Sequence, residues 1–208
     1  MPELPEVETI RRQLAPKLID AAIVDAGAHW SAKFTPALDA VGTEIVGARR
    51  RGKYLLFDLD PGADGGPPRE LVVHLGMTGR LAVHEPGSAL ALDDLGTEPH
   101  LRAWWRLDDD RVLTFHDIRR FGCIHVVDSG DYRDIPTLHA LGPEPWDPDF
   151  NGKHLAAFVK RSDRHLKTIL LAQRAVAGVG NIYADEALWD ARINPATRRL
   201  SRQRADEL

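Results

Sequence analysis

The sequence predicts an α+β chain: a β-rich first domain, an antiparallel sandwich or barrel led by one helix, then a smaller all-α domain. Three observations carry this. In "PEVETIRRQLAPKL" the apolar residues Val7, Ile10, Leu14 and Leu18 recur at steps of three and four, so one stripe of a short helix faces a core. Downstream, the β-rich runs "AAIVDA", "TEIVGA", "YLLFDL", "ELVVHL", "RAWWRL", "RVLTFHD" and "CIHVV" are separated by loops such as "PGADGGPP" and "EPGSALALDDLGTEP". Finally, "LGPEPWDPDFNG" holds Pro143, Pro145 and Pro148 within six residues, which breaks any regular element. Past it the pattern turns helical in "KHLAAFVKRS", "HLKTILLAQRAV" and "NIYADEALWDAR", and a further helix starts in "RRLSRQRADEL". The expected boundaries are 1–133 for the β domain with its helix, 134–151 for a linker and 152–208 for the helical domain.

Composition narrows the function. With 208 residues and 43% hydrophobic content the chain can bury one good core or two small ones. No apolar run approaches the roughly 20 residues of a membrane span. The first thirty residues carry five acidic side chains rather than a basic and apolar leader, so the expected compartment is the cytoplasm. A single cysteine, Cys123, forms no internal disulfide and supplies no multi-cysteine zinc site. The formal charge of −4 argues against nucleic acid on average, but its distribution is uneven. Residues 1–150 carry 16 basic and 25 acidic residues, whereas 151–208 carry 11 and 6, so the second part is the better phosphate-facing candidate.

The opening "MPELPEVE" admits two readings. Pro2 or Pro5 suits the first turn of a helix, and Glu3, Glu6 and Glu8 complement the positive end of its dipole. Removal of Met1 would also leave Pro2 with a free secondary amine. Next to a helix N-terminus the dipole disfavours its protonated form, and such an amine attacks electrophilic carbon to give an iminium. Glu3 then stands beside it for proton transfer.

Two further stretches point to phosphate and to stacked bases. In "AVAGVGNIYADEALW" the glycines Gly178 and Gly180 permit close backbone approach and Asn181 is suited to cap the next helix, an arrangement equally common in plain helix–helix turns. The upstream "KRSDRHLK", with Lys160, Arg161, Arg164 and Lys167, favours phosphate. "HLGMTGRL" sets Met77 between Gly76 and Gly79 at the tip of an expected hairpin. With Phe121 in "IRRFG" it offers an apolar wedge flanked by Arg119 and Arg120. Core packing under glycine turns is the alternative for both residues.

Together "MPELPEVE", "RRGKYLL", "HLGMTGRL", "HDIRRFG", "LGPEPW" and "AGVGNIYADEALW", in this order, strongly resemble the formamidopyrimidine-DNA glycosylase and endonuclease VIII family, and the formamidopyrimidine branch in particular. The resemblance spans essentially the whole chain. It implies a two-layered β-sandwich, a linker and a helix-two-turn-helix domain. It also implies excision of oxidised purines from damaged DNA through a proline imine and β,δ-elimination. The expected partner is damaged double-stranded or gapped DNA, the gap because a chain truncated before its further duplex contacts flips a nucleotide more easily there, and the chain is expected to act as a monomer. By resemblance, Pro2 is the nucleophile, Glu3 transfers protons at the deoxyribose, Glu6 holds the helix start and Lys53 reaches the lesion's phosphate. Met77, Arg119 and Phe121 fill the hole left by the flipped nucleotide. Arg120, Lys167 and Asn181 contact flanking phosphates.

Family members usually continue into a base-capping loop and a four-cysteine zinc ribbon, whereas this sequence is expected to be truncated before them. No cofactor is therefore expected within it, and zinc only if the gene product continues past Leu208. The alternative is a catalytically weak or silent module that binds damaged DNA. A tautomerase-like use of the terminal proline leaves Lys53, "RRFG" and "GVGN" without a role.

Overall fold

The computed structural model describes residues 2–61, 65–88 and 98–208, so Met1 and parts of the two long loops expected at 61–68 and 85–99 lie outside the described residues. The chain divides into two units, Met1–Tyr132 and Arg133–Leu208.

The first unit opens with helix α1 (Leu4–Leu18). Glu3 is its N-cap, and the backbone N–H of Glu3 donates to Oε2 of Glu6 at 2.8 Å, half of a capping box that also ties the Glu3 carboxylate to the first turn. Pro5 takes a first-turn position, where a missing N–H costs nothing, and Pro2 stands just outside the helix. Val7, Leu14 and Leu18 are buried with Ile10 packed against them, the stripe that the spacing predicts.

Among the described residues eight strands follow: β1 (Ala21–Ala28), β2 (Glu44–Arg51), β3 (Tyr54–Asp60), β4 (Arg69–His74), β5 (Gly79–His84), β6 (Leu101–Leu107), β7 (Val112–Asp117) and β8 (Cys123–Asp128). A short 3₁₀ helix, Thr35–Ala40, lies between β1 and β2. Every pairing is antiparallel, in the order β5-β7-β6-β1-β2-β3-β4-β8. Strand β1 changes partner along its length: Ala21 and Ala22 pair with β2, and from Ile23 onward it pairs with β6, with an irregularity between Ile23 and Asp25. A bend of this kind folds one hydrogen-bonded sheet into two layers. Leu55, Phe57, Leu71 and Val73 from one layer share a core with Trp105, Leu113 and Phe115 from the other, joined by the α1 stripe and Phe34. Burying each such side chain contributes about 1.5–3 kcal/mol.

The hairpin expected at "HLGMTGRL" is not one. β4 pairs with β8 (His74 opposite Cys123) and β5 pairs with β7 (Gly79 opposite Asp117), so residues 75–78 carry the chain from one layer to the other. Glycine turns look alike locally, and the strands' partners are chosen by distant residues.

The second unit contains α2 (Pro136–His139), α3 (Gly152–Lys160), α4 (Leu166–Leu171), α5 (Asn181–Asp190) and α6 (Arg202–Asp206). Asn151 caps α3 by accepting from the His154 N–H at 3.0 Å, and Ser201 caps α6 by accepting from Arg204 at 3.2 Å. Leu155, Val159, Leu166, Ile169, Val176 and Leu188 form its core. The helix expected over 165–176 ends at Leu171 because the following backbone has another partner. The Gly142 N–H donates to Gln173 O at 2.9 Å and the Ala177 N–H to Pro143 O at 2.8 Å. Residues 141–143 of the expected linker are thereby stitched into this unit, and a turn at 172–173 followed by bends over 174–178 separates α4 from α5.

Candidate functional site

Three residues converge at the start of the first unit. Pro2 is half-buried immediately before the α1 cap. Glu3 is 1% exposed, and Lys53, in the turn between β2 and β3, is 5% exposed. Burial lowers the Lys53 pKa against the opposing pull of the Glu3 carboxylate, so the two groups sense each other while the ammonium is easier to deprotonate than a free lysine's. Glu6 is spent on the helix start through its bond to the Glu3 N–H. His74, which senses the Lys53 charge, is held down to about 4, first by burial and then by the charges of Lys53 and His125. Its Nδ1 accepts the Gly76 N–H at 3.2 Å, which leaves the neutral ring its proton on Nε2. The arrangement offers a terminal secondary amine, once Met1 is gone, together with a carboxylate and a proton-labile amine.

From His74 the chain runs into the Met77 turn, which lies against the Arg119–Gly122 turn. A Cβ on Gly76 would meet Gly122 N at 2.5 Å, and one on Gly122 would meet His74 O at 2.8 Å, so both turns need glycine to touch. Asp117, fully buried, joins them: Thr78 Oγ1 donates to its Oδ1 at 2.5 Å and the Gly122 N–H to its Oδ2 at 2.7 Å. Thr78 Oγ1 in turn accepts the Arg119 N–H at 3.0 Å. Thus Met77 (39% exposed), Phe121 (52% exposed) and Arg119 stand on one braced pair of turns, the Arg119 guanidinium 4.8 Å from the Phe121 ring. Arg120, at φ 57, has its carbonyl bound by Lys33 Nζ at 2.9 Å.

The second unit carries Lys167 and Asn181. Lys167 Nζ is 2.7 Å from Asp185 Oδ1, an ion pair between α4 and α5. Asn181 does not cap α5: Gly180 occupies that position, and Asn181 is the first helical residue with its side chain exposed. Without a side chain at the cap, the first-turn amides of α5 are approachable from outside.

His74, Asp117 and Asp185 stand inside the motifs "HLGMTGRL", "HDIRRFG" and "NIYADEALW", but residue type alone carried no sign of their work. A buried carboxylate joining two turns is visible only once both turns are placed. Among the described residues no group of three or more His, Cys, Asp or Glu side chains could hold a metal ion, and Cys123 lies singly in β8. Among them, too, no helix is long and apolar enough to cross a membrane.

A bent antiparallel sheet with candidate functional groups at its N-terminal helix, in a chain that also holds two short helices joined by a turn and a run of bends, fits the helix-two-turn-helix class of DNA glycosylases. Residues 1–124 match the model of the formamidopyrimidine-DNA glycosylase N-terminal domain, and residues 141–208 match that of its H2TH domain. The chain belongs to the formamidopyrimidine-DNA glycosylase family. Over its full length it is 42% identical to the enzyme of that name from Deinococcus radiodurans, covering 71% of the relative, and 44% identical to that of Thermus thermophilus, covering 72%. The Thermus thermophilus MutM (Fpg) crystal structure superposes with a TM-score of 0.85 at 43% identity, over 99% of this chain and 71% of that one. A Lactococcus lactis Fpg complex with abasic-site DNA superposes at 0.83 and 30% identity, over 99% and 73%.

Proposed function

We propose that this protein is a DNA-repair glycosylase and AP lyase that removes oxidised purines, 8-oxoguanine and formamidopyrimidines, from DNA. The observation that carries this reading is the buried pair Glu3 and Lys53 beside Pro2 at the helix start. With Met1 removed, the Pro2 nitrogen attacks C1′ of the damaged nucleotide, and the bond to the base breaks as the base departs with a proton. The sugar ring opens to a proline iminium. Loss of a C2′ proton then expels the 3′ phosphate, and a second elimination expels the 5′ phosphate.

Glu3 is assigned the proton transfers at the deoxyribose, and Lys53 acts beside the lesion's phosphate, where its lowered pKa eases proton exchange. The Met77, Arg119 and Phe121 wedge fills the stack once the nucleotide is extruded. Arg120, Lys167 and Asn181 hold phosphates, which carry no base identity. The enzyme acts as a cytoplasmic monomer, and the chemistry draws on no cofactor from these residues.

The test is reductive trapping. Borohydride with an abasic-site oligonucleotide is expected to fix a covalent adduct, placed on Pro2 by mass spectrometry in chains lacking Met1. An adduct on Lys53, or none with processed protein, refutes the assignment.

A further inference from the structure

Beside the braced turns lies a surface in which the proposed chemistry assigns a task to Arg120 alone. Trp30, in the segment between β1 and the 3₁₀ helix, is 90% exposed, whereas the core tryptophan Trp105 is fully buried. Its neighbours on both sides are anchored to one residue: Arg120 Nη2 donates to His29 Nδ1 at 3.4 Å, and Lys33 Nζ donates to Arg120 O at 2.9 Å. The segment is also held by the His29 N–H donating to Arg102 O at 2.8 Å, while Arg102 Nε donates to Asp117 O at 2.8 Å. Burial first, and the Arg120 charge second, hold the Arg102 guanidinium below its usual value, so like charges crowd here. A solvent-facing indole, three cations and a histidine are therefore carried on the same framework as Met77 and Phe121. Aromatic faces interleaved with cations suit a single-stranded nucleic acid, whose bases expose their faces for stacking while the phosphates meet the positive charge. A paired base offers no free face.

We infer that Trp30 is a stacking platform for an unpaired nucleotide next to the lesion, with Lys33, Arg102 and Arg120 receiving the adjoining phosphates, so that the protein favours lesions in gapped or locally melted DNA. This rests on the reading of Met77, Arg119 and Phe121 as the wedge that enters the stack. The platform accepts any base, because stacking does not depend on hydrogen-bonded edges.

The experiment titrates the full chain, Trp30→Ala, Trp30→Phe and Phe121→Ala against abasic-site duplexes that are either intact or carry unpaired nucleotides flanking the site. Trp30→Ala is expected to weaken binding to the unpaired substrate about tenfold, the effect of losing one stacked base, and to change intact duplex by less than about twofold. Trp30→Phe should retain most of the affinity, and the parent's tryptophan emission should be quenched by the unpaired substrate more than that of Trp30→Phe. If Trp30→Ala binds both substrates as the parent does while Phe121→Ala is impaired, the platform is refuted and the wedge stands. If Phe121→Ala also binds both normally, the wedge reading fails and the platform fails with it.

Discussion

Replacing Asp117 by Asn tests whether the wedge depends on the bracing of its two turns. The carboxylate accepts from the Thr78 hydroxyl and from the Gly122 N–H, and Thr78 Oγ1 already accepts from Arg119. An Asn side chain keeps one oxygen, and its NH₂ cannot face the Gly122 N–H, so the oxygen must stay with Gly122 and the NH₂ must turn to Thr78. The Thr78 hydroxyl proton then loses its acceptor. A charge-assisted bond contributes about 1.5–3 kcal/mol against about 1 for a neutral one, and an unpaired buried donor costs about 1 more. Lost charge and lost acceptor together amount to about 2 kcal/mol. Urea unfolding of the full chain should show that loss. Single-turnover excision of 8-oxoguanine from a paired duplex should fall about tenfold if Met77, Arg119 and Phe121 act as the proposed wedge, which must hold the nucleotide out against restacking. Cleavage of an abasic site in a gap, where nothing restacks, should fall much less. Combining Asp117→Asn with Thr78→Val should cost less than the sum of the two single changes, because both remove one shared bond. Unchanged stability with unchanged excision would refute the reasoning, as would equal loss on both substrates.

Two other outcomes follow from groups around the site. Because burial holds His74 at about 4 while an unfolded chain titrates it near 6.5, the unfolded state binds the proton first on acidification. The His74 contribution is therefore fully present well above pH 6.5 and is lost as pH falls through 6.5 to about 4, on the order of 3 kcal/mol at the lower end. Urea midpoints from pH 7 to 4.5 should fall more steeply for the parent than for His74→Gln, and parallel curves would contradict this. In the second unit, Lys167 must leave Asp185 to reach a phosphate. Exposed pairs contribute about 0.2–1 kcal/mol, so Asp185→Asn should tighten DNA binding by up to about fivefold at low salt, with no gain in a Lys167→Ala background. An equal gain in both backgrounds would show a general charge effect instead.

What the sequence determined by itself is what repeats or caps locally. The α1 stripe, the β-rich runs and the breaking of regular structure by prolines are periodicities and backbone restrictions readable within a few residues. So is the place of Pro2 directly after Met1, where removal of that methionine turns the proline nitrogen into a secondary amine. Only tertiary structure decided which strands pair, because a strand's hydrogen-bonding edges accept any extended neighbour and the choice falls to the core it shares. Hence β1 could switch partners at Ile23, and the Met77 turn could bridge two layers while looking like a hairpin. The same holds for α4, whose apolar pattern runs past Leu171 but whose backbone is claimed by Gly142 and Pro143. The chemistry of the candidate site belongs to this second kind. Lys53, His74 and Asp117 are ordinary polar residues in sequence, and only burial against distant partners lowers two of their pKa values and turns the third into a brace. Desolvation depends on everything packed around a group, and no short window of sequence contains that.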